Sequence, residues 1–269
     1  MTTARARRRR DIALFLGGHD LEMITIGELG RRWLSPERVH DKGLRWGAAA
    51  SAYSAGIGAA LATGLTAVLV ELEDDLPASL DRTRILIIDH HGAGAGADQP
   101  SALHQVFRLI GCPARAWTRR MALVAANDVG HMQSLREMGA RPTEIRRIRD
   151  ADRRAQGVSA DDEAMARVAL AGARRQGTII VIESSTARTS PILDYLEPEY
   201  GGAGMANVLV TTPESVEFYG SGAAIARLVA AEGGWSGGAL PARGFWGKAV
   251  ADPVQRRDLR DRVIALIGA

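Results

Sequence analysis

Four short stretches of this 269-residue sequence place acids and histidines directly behind apolar runs: "GGHDLE" (17–22), "VELEDD" (70–75), "IDHHG" (88–92) and "VAANDVGH" (124–131). Each alone has an ordinary explanation. Asp20 and Glu22 could open a helix, Glu71 to Asp75 could be a solvated loop, and Asp128 could be a cap. Brought to one place, carboxylates repel one another unless cations sit between them. Oxygen donors with one or two imidazoles and no sulfur suit Mn²⁺ or Mg²⁺, with zinc less suited. Two such ions about 4 Å apart polarise a phosphoryl group and acidify water, so phosphoester or phosphoanhydride hydrolysis is the chemistry to expect.

Acids reach one place only if the chain between them returns repeatedly to the same edge. Ile12 to Leu16, Thr66 to Val70 and Arg84 to Ile88 are short apolar runs that read as buried strands, and "MALVAA" (121–126) reads as another. Helices are expected between them, from Trp46 to Leu65 and from an N-capping Ser101 to Gly111. Strands separated by helices imply a parallel sheet, whose ligands gather outside the carboxyl ends of the strands. Beyond residue 135 the texture turns to charged helices, and a second α/β region begins at "GTIIVIES" (177–184). The expected fold class is α/β. Its parts are a basic tail (1–10), a parallel-sheet metal-binding domain (11–135), a helical connector (136–176) and a smaller α/β substrate domain (177–269).

Composition narrows the setting. Hydrophobic residues at 46% and charged residues at 24% are ordinary for a soluble globular protein. The single cysteine, Cys112, excludes an internal disulfide and a thiolate-rich metal site, which fits a reducing, cytoplasmic interior. "IALFLGG" is too short for a membrane span or a secretory core. The net charge of +3 comes partly from the "ARARRRR" tail. No aromatic residues interleave with basic ones along a strand-binding groove, so nucleic acid is the less favoured partner. A small phosphorylated substrate is expected, with no membrane partner and with a homodimer left open.

Substrate contacts have two sources. Lys42 and Arg45 belong to the basic stretch "RRWLSPERVHDKGLRWGAA", whose cations suit phosphate. The stretch "EGGWSGGALPARGFWG" carries Gly234, Gly237, Gly238 and Arg243, where backbone amides could approach an anion, and Arg188 follows a strand in "ESSTARTSP".

The triplet in "IDHHG" resembles the signature of the DHH phosphoesterase superfamily. The resemblance extends to the acid-x-acid pair Asp20-Leu21-Glu22, the acid after a later strand, and Asp128, and it reaches a second lobe through residues 223–247. It implies metal ligation by Asp20, Glu22, Glu71, His90 and Asp128 with two Mn²⁺ or Mg²⁺ ions, Glu73 competing with Glu71. His91 would face the phosphate and protonate the leaving group, Asp89 would orient its neighbours, and the glycine-rich loop would line an interlobe cleft. The sequence departs from the family at Glu22 and Glu71, where the family has Asp, and at Gly18. The family histidine before the first acid is missing there, and His19 stands beside Asp20 as a further candidate ligand. The expected function is a metal-dependent phosphoesterase acting on a small, nucleotide-like phosphate ester. A regulatory protein that keeps the fold and holds a nucleotide or phosphorylated metabolite is the competing expectation.

Overall fold

β1 (Ile12–Leu16), β2 (Val39–His40), β3 (Thr66–Val70) and β4 (Ile85–Ile88) form one wholly parallel sheet in the order β2-β1-β3-β4. This computed structural model describes residues 11–90, 100–204, 207–238 and 240–268; the basic tail expected over 1–10 lies outside them. The chain divides into two units, Met1–Gln156 and Gly157–Ala269.

Every residue of β1 and β3 is buried, as expected of parallel strands covered on both faces. Side chains alternate between the faces. Ala13, Phe15, Ala67 and Leu69 meet Ile57 and Ala60 of α2 (Ser54–Ala62) on one face. On the other, a Cβ added at Gly30 of α1 (Leu21–Trp33) would lie 2.9 Å from Leu14, so glycine lets that helix settle closely onto β1.

Two helices differ from the sequence expectation. The stretch from Trp46 to Leu65 is helical only from Ser54, after a 3-10 turn over Ala50–Tyr53. Ala48 and Ala50 are held instead by backbone hydrogen bonds to Glu73, at 3.0 and 2.8 Å. "MALVAA", expected as a strand, lies inside α4 (Arg119–Glu137), capped by the Thr118 hydroxyl. A short apolar run has no periodicity that separates a buried strand from a buried helix. α3 (Ala102–Ile110) does start at an N-capping Ser101 and stops at Gly111, whose φ of 71° is the left-handed stop. α5 (Pro142–Ala155) completes this unit.

The second unit is a mixed sheet. β5 (Arg174–Gln176), β6 (Ile179–Glu183), β7 (Asn207–Thr211), β8 (Ser215–Ser221), β9 (Trp235–Gly237) and β10 (Arg243–Ala249) lie in the order β5-β6-β7-β8-β10-β9. Only β6 and β7 run parallel. One face packs Leu209, Phe218 and Trp246 against α8 (Gly222–Glu232) and α9 (Pro253–Gly268). The other packs Ile182, Val208 and Val210 against α6 (Ala160–Ala171) and α7 (Ser190–Leu196). No helix among the described residues is long and apolar enough to cross a membrane.

Candidate metal centre

Four elements of the first unit deliver one ligand-type side chain each. Glu22 is the second residue of α1, whose first turn is fixed by the Asp20 carboxylate accepting the Met23 N–H at 2.8 Å. Glu71 follows β3 directly, with its own N–H donated to the Ile88 carbonyl at 2.8 Å. His90 follows β4 by two residues. Asp128 comes from α4 and not, as expected, from the loop after a strand; the helix is broken just beyond it, at Gly130 and His131.

Backbone strain gathers at the same place. Among the described residues only Glu71 (φ 51°) and His131 (φ 50°) are non-glycine residues with positive φ. Such conformations cost about 1–3 kcal/mol each and cluster at functional sites. At Glu71 the strain depends on a neighbour. A Cβ at Gly17 would lie 2.1 Å from the Glu71 carbonyl oxygen, so glycine is what lets the two strand ends approach.

The result is a tight, buried group. Ligand atoms of Glu22, Glu71, His90 and Asp128 all lie within 4.8 Å of one another. His90 Nε2 is 2.5 Å from Asp128 Oδ2, 3.0 Å from Glu71 Oε1 and 4.0 Å from Glu22 Oε2. Glu22 Oε1 accepts the Leu103 N–H at 3.0 Å, so the first turn of α3 holds one oxygen and leaves Oε2 aimed at the group without a hydrogen-bond donor.

Three carboxylates around one imidazole carry an excess of negative charge that burial makes expensive. The proton affinities of the group follow from that excess. Burial, then the charges of Asp128 and Glu71, push the Glu22 carboxyl well above the usual carboxylate range. Asp20 is pushed up to about 8 by burial, against the Met23 hydrogen bond, with the charges of Asp128, Glu71 and Asp152 adding to the rise. Burial alone would lower His90, but hydrogen bonds to Asp128 and Glu71 outweigh it and raise the imidazole to about 10. Oxygen donors, one imidazole and surplus negative charge form the donor set that a hard divalent cation satisfies.

The remaining candidates lie apart from this group. Asp20 caps α1, outside the four-residue cluster but near enough to feel its charge. His19 and Glu73 are exposed and outside the cluster. Asp89 is half-buried, and its carbonyl accepts the Gln105 side-chain amide at 3.3 Å. His91 lies outside the described residues. Lys42 is exposed, donates to the Ala52 carbonyl at 2.6 Å, and lines a cavity of about 540 Å³ with His40, Tyr53 and Ser54; Arg45 is exposed.

In the second unit Arg188 is exposed. The loop glycines have a packing duty: a Cβ at Gly234 would lie 2.3 Å from the Gly247 carbonyl oxygen, one at Gly237 2.7 Å from the Phe245 ring, and one at Gly238 2.8 Å from the Gly244 Cα. Arg243 is half-buried at the start of β10. The sequence reading missed the Leu103 N–H, whose signal was the Ser101 cap. It also missed the buried ion pair of α5, Arg149 and Asp152, which stands with Ile145 and Ile148 on one helical stripe.

No family model matches the sequence, and no curated protein does. Solved structures do resemble it. The DHH domain of a member of a family of ribosomal proteins superposes with a TM-score of 0.52 at 10% identity, covering 96% of this chain and 87% of that one. The chain has a DHH-domain fold. Two further structures superpose less closely. RecJ from Thermus thermophilus in complex with Mn²⁺ has a TM-score of 0.49 at 13% identity, covering 95% of this chain and 52% of that one. The pGpG-specific phosphodiesterase PggH from Vibrio cholerae has 0.39 at 10%, covering 94% and 99%. Within the DHH fold, the four clustered side chains stand at the carboxyl edge of β3 and β4 and at the ends of two helices that face it, the location that open parallel sheets use for ligands.

Proposed function

We propose that this chain is a divalent-metal-dependent phosphoesterase that binds Mn²⁺ or Mg²⁺, as two ions, and hydrolyses a small, nucleotide-like phosphate ester. One observation carries the reading: the buried convergence of Glu22, Glu71, His90 and Asp128, with Glu22 Oε2 aimed inward and taking no hydrogen bond. When bound, such ions supply the positive charge that polarises a phosphoryl group and lowers the pKa of the attacking water.

The chain's own groups do the rest. Glu22, Glu71, His90 and Asp128 supply the donors, and Asp20, which feels the same charge, extends the set beyond what one ion needs. The Leu103 N–H fixes the Glu22 carboxylate, and the Gln105 amide on the Asp89 carbonyl steadies the turn that presents His90. We assign His91, next in sequence, to protonate the leaving oxygen, a task suited to imidazole near neutral pH. Lys42 and Arg45 are assigned to substrate phosphate. The single cysteine supports a reducing, cytoplasmic setting.

The test is phosphate release or phosphodiester cleavage by purified protein with Mn²⁺, beside a Mn²⁺ titration. Wild type should bind close to two ions and turn over, and His90→Ala and Asp128→Ala should lose both properties. Full activity in both variants would overturn the assignment. Metal binding without turnover over a panel of phosphate esters would favour a regulatory binder instead.

A further inference from the structure

The charged helix α5 carries three ionic side chains that are almost wholly buried: Arg153, which pairs with the Asp150 carboxylate of its own helix, and the pair Arg149 at 3% exposure and Asp152 at 4%. Arg149 Nη1 donates to Asp152 Oδ2 at 3.0 Å, and the Gln156 amide donates to the same oxygen at 3.1 Å. A buried ion pair of this kind is poorly explained by stability, because well-packed apolar residues in its place are often as stable or more so. What distinguishes this pair is where its other hydrogen bonds go.

Asp152 Oδ1 accepts the N–H of Leu21 at 3.2 Å. Leu21 is the first residue of α1 and stands between Asp20 and Glu22. Arg149 Nη1 donates to the Asn127 side-chain oxygen at 3.0 Å and contacts His131 Nδ1 at 3.2 Å. These two residues flank Asp128, one directly before it and one at the break in α4. A single ion pair therefore grips the backbone beside Glu22 and the side chains beside Asp128, from a helix that packs against both α1 and α4.

We infer that Arg149 and Asp152 are positioning residues that set the separation of the Glu22-bearing and Asp128-bearing helix ends, and so tune the metal affinity of the cluster. Neither residue belongs to the cluster of four; each acts through a neighbour. The inference rests on the metal-binding reading above and adds the part of the molecule that holds the ligand geometry. Residues that orient metal ligands in this way typically change metal affinity by about 10- to 100-fold when removed.

The experiment compares Mn²⁺ titrations of the full chain, read by electron paramagnetic resonance, with thermal melts in EDTA. The double variant R149M/D152L replaces the pair by apolar groups of similar size but leaves the buried Leu21 N–H without its acceptor, so its melting temperature should fall by a few degrees, and the titration is run well below that melt. Its Mn²⁺ affinity should fall about 10- to 100-fold. Asp152→Asn keeps an acceptor for the Leu21 N–H while losing the charge, and its affinity should lie between the two. A merely structural pair gives no such partial rescue.

Wild-type affinity in a folded double variant overturns the inference and leaves the metal reading standing. If the double variant does not fold, Asp152→Asn decides, and an affinity equal to wild type overturns the inference. Failure of wild type itself to bind Mn²⁺ overturns the metal reading, and the positioning role with it.

Discussion

Each unit of this chain gathers acidic and polar side chains beside its sheet, yet the two groups are built on opposite principles. In the second unit the Glu217 carboxylate accepts from three hydroxyls: Ser215 at 2.7 Å, Tyr219 at 2.5 Å and Thr189 at 3.2 Å. One charge meets three donors, and the network is satisfied by the chain itself. In the first unit three carboxylates crowd one imidazole, and Glu22 Oε2 has no donor. An acid in contact with polar neighbours is therefore no sign of a site. A surplus of like charge at an edge where the backbone is also strained is such a sign, because only a cation or a bound proton relieves it.

The strongest test of that contrast is one of sign. Glu22→Gln takes a carboxyl that is costly to ionise out of the crowded group, so in EDTA the protein should melt at a higher temperature than wild type. Its Mn²⁺ affinity should fall by ~100-fold or more, since an amide is a far poorer ligand than a carboxylate. Glu217→Ala should do the reverse. It leaves three hydroxyls without their acceptor, which costs about 1–3 kcal/mol, and should leave Mn²⁺ affinity untouched. A stabilised Glu217→Ala, or a destabilised Glu22→Gln, would show that the two groups do not differ as described.

Titration probes the same charge surplus without a substitution. Asp20 rises from an ordinary 3.8 to about 8 on folding, and His90 from 6.5 to about 10. In both cases the folded state binds the proton more tightly than the unfolded one, so the contribution to stability is lost as pH rises through the window between the two values. Asp20 gives a window of about 4 to 8, and His90 one of about 6.5 to 10. In EDTA the melting temperature should therefore drop by several degrees between about pH 5 and pH 9. Mn²⁺ competes with those protons, so its affinity and its stabilising effect should grow over the same range. A pH-independent melt in EDTA would refute the charge surplus.

Much of this was legible in the sequence, and the parts that were not have a common cause. β1 and β3 were readable because parallel strands buried on both faces are continuous apolar runs, β4 was readable as an apolar run although it is the edge strand and only Ile88 of it is buried, and α3 was readable because Ser101 and Gly111 mark its ends. The placing of Glu71 and His90 at one edge followed from adjacent parallel strands that end there, whereas Glu22 and Asp128 arrive on helices. Which of Glu71 and Glu73 faces inward did not follow, because the choice lies in the positive φ of Glu71, and no residue type announces that. Asp128 was expected after a strand because "MALVAA" lacks the length to show a helical period. The α5 pair was missed because its charges hide among the other charged residues of "PTEIRRIRDADRRA", although their spacing from Ile145 and Ile148 gave the buried stripe away.

A moderate effect should come from the strained turn itself. Gly17→Ala adds a Cβ that would sit 2.1 Å from the Glu71 carbonyl oxygen and 2.7 Å from that of Val70. Backbone oxygens cannot swing aside as side chains do, so the end of β3 must shift. The cost should be about 1–3 kcal/mol in stability, with Mn²⁺ affinity lower by about 10-fold because Glu71 moves with its backbone. Equal affinity with lowered stability would mean that the strained position of Glu71 does not matter to the ligand set.

The weakest effect is the most discriminating about the acidic stretch "VELEDD". Glu73 holds Ala48 and Ala50 through its own backbone N–H and carbonyl, while its side chain is exposed and lies outside the cluster. Alanine keeps that backbone pairing, so Glu73→Ala should change Mn²⁺ affinity by less than about 3-fold, through weak long-range charge alone. Glu71→Ala, two residues away, should lose most of the binding. Salt separates any residual effect of Glu73 from ligation: an exposed charge acting at a distance is screened at about 1 M ionic strength, whereas the loss of a buried ligand is not. Equal losses in the two variants that persist in high salt would mean that the turn after β3 presents Glu73 to the ion, and the contrast between a buried, strained acid and its solvated neighbour would fail at that turn.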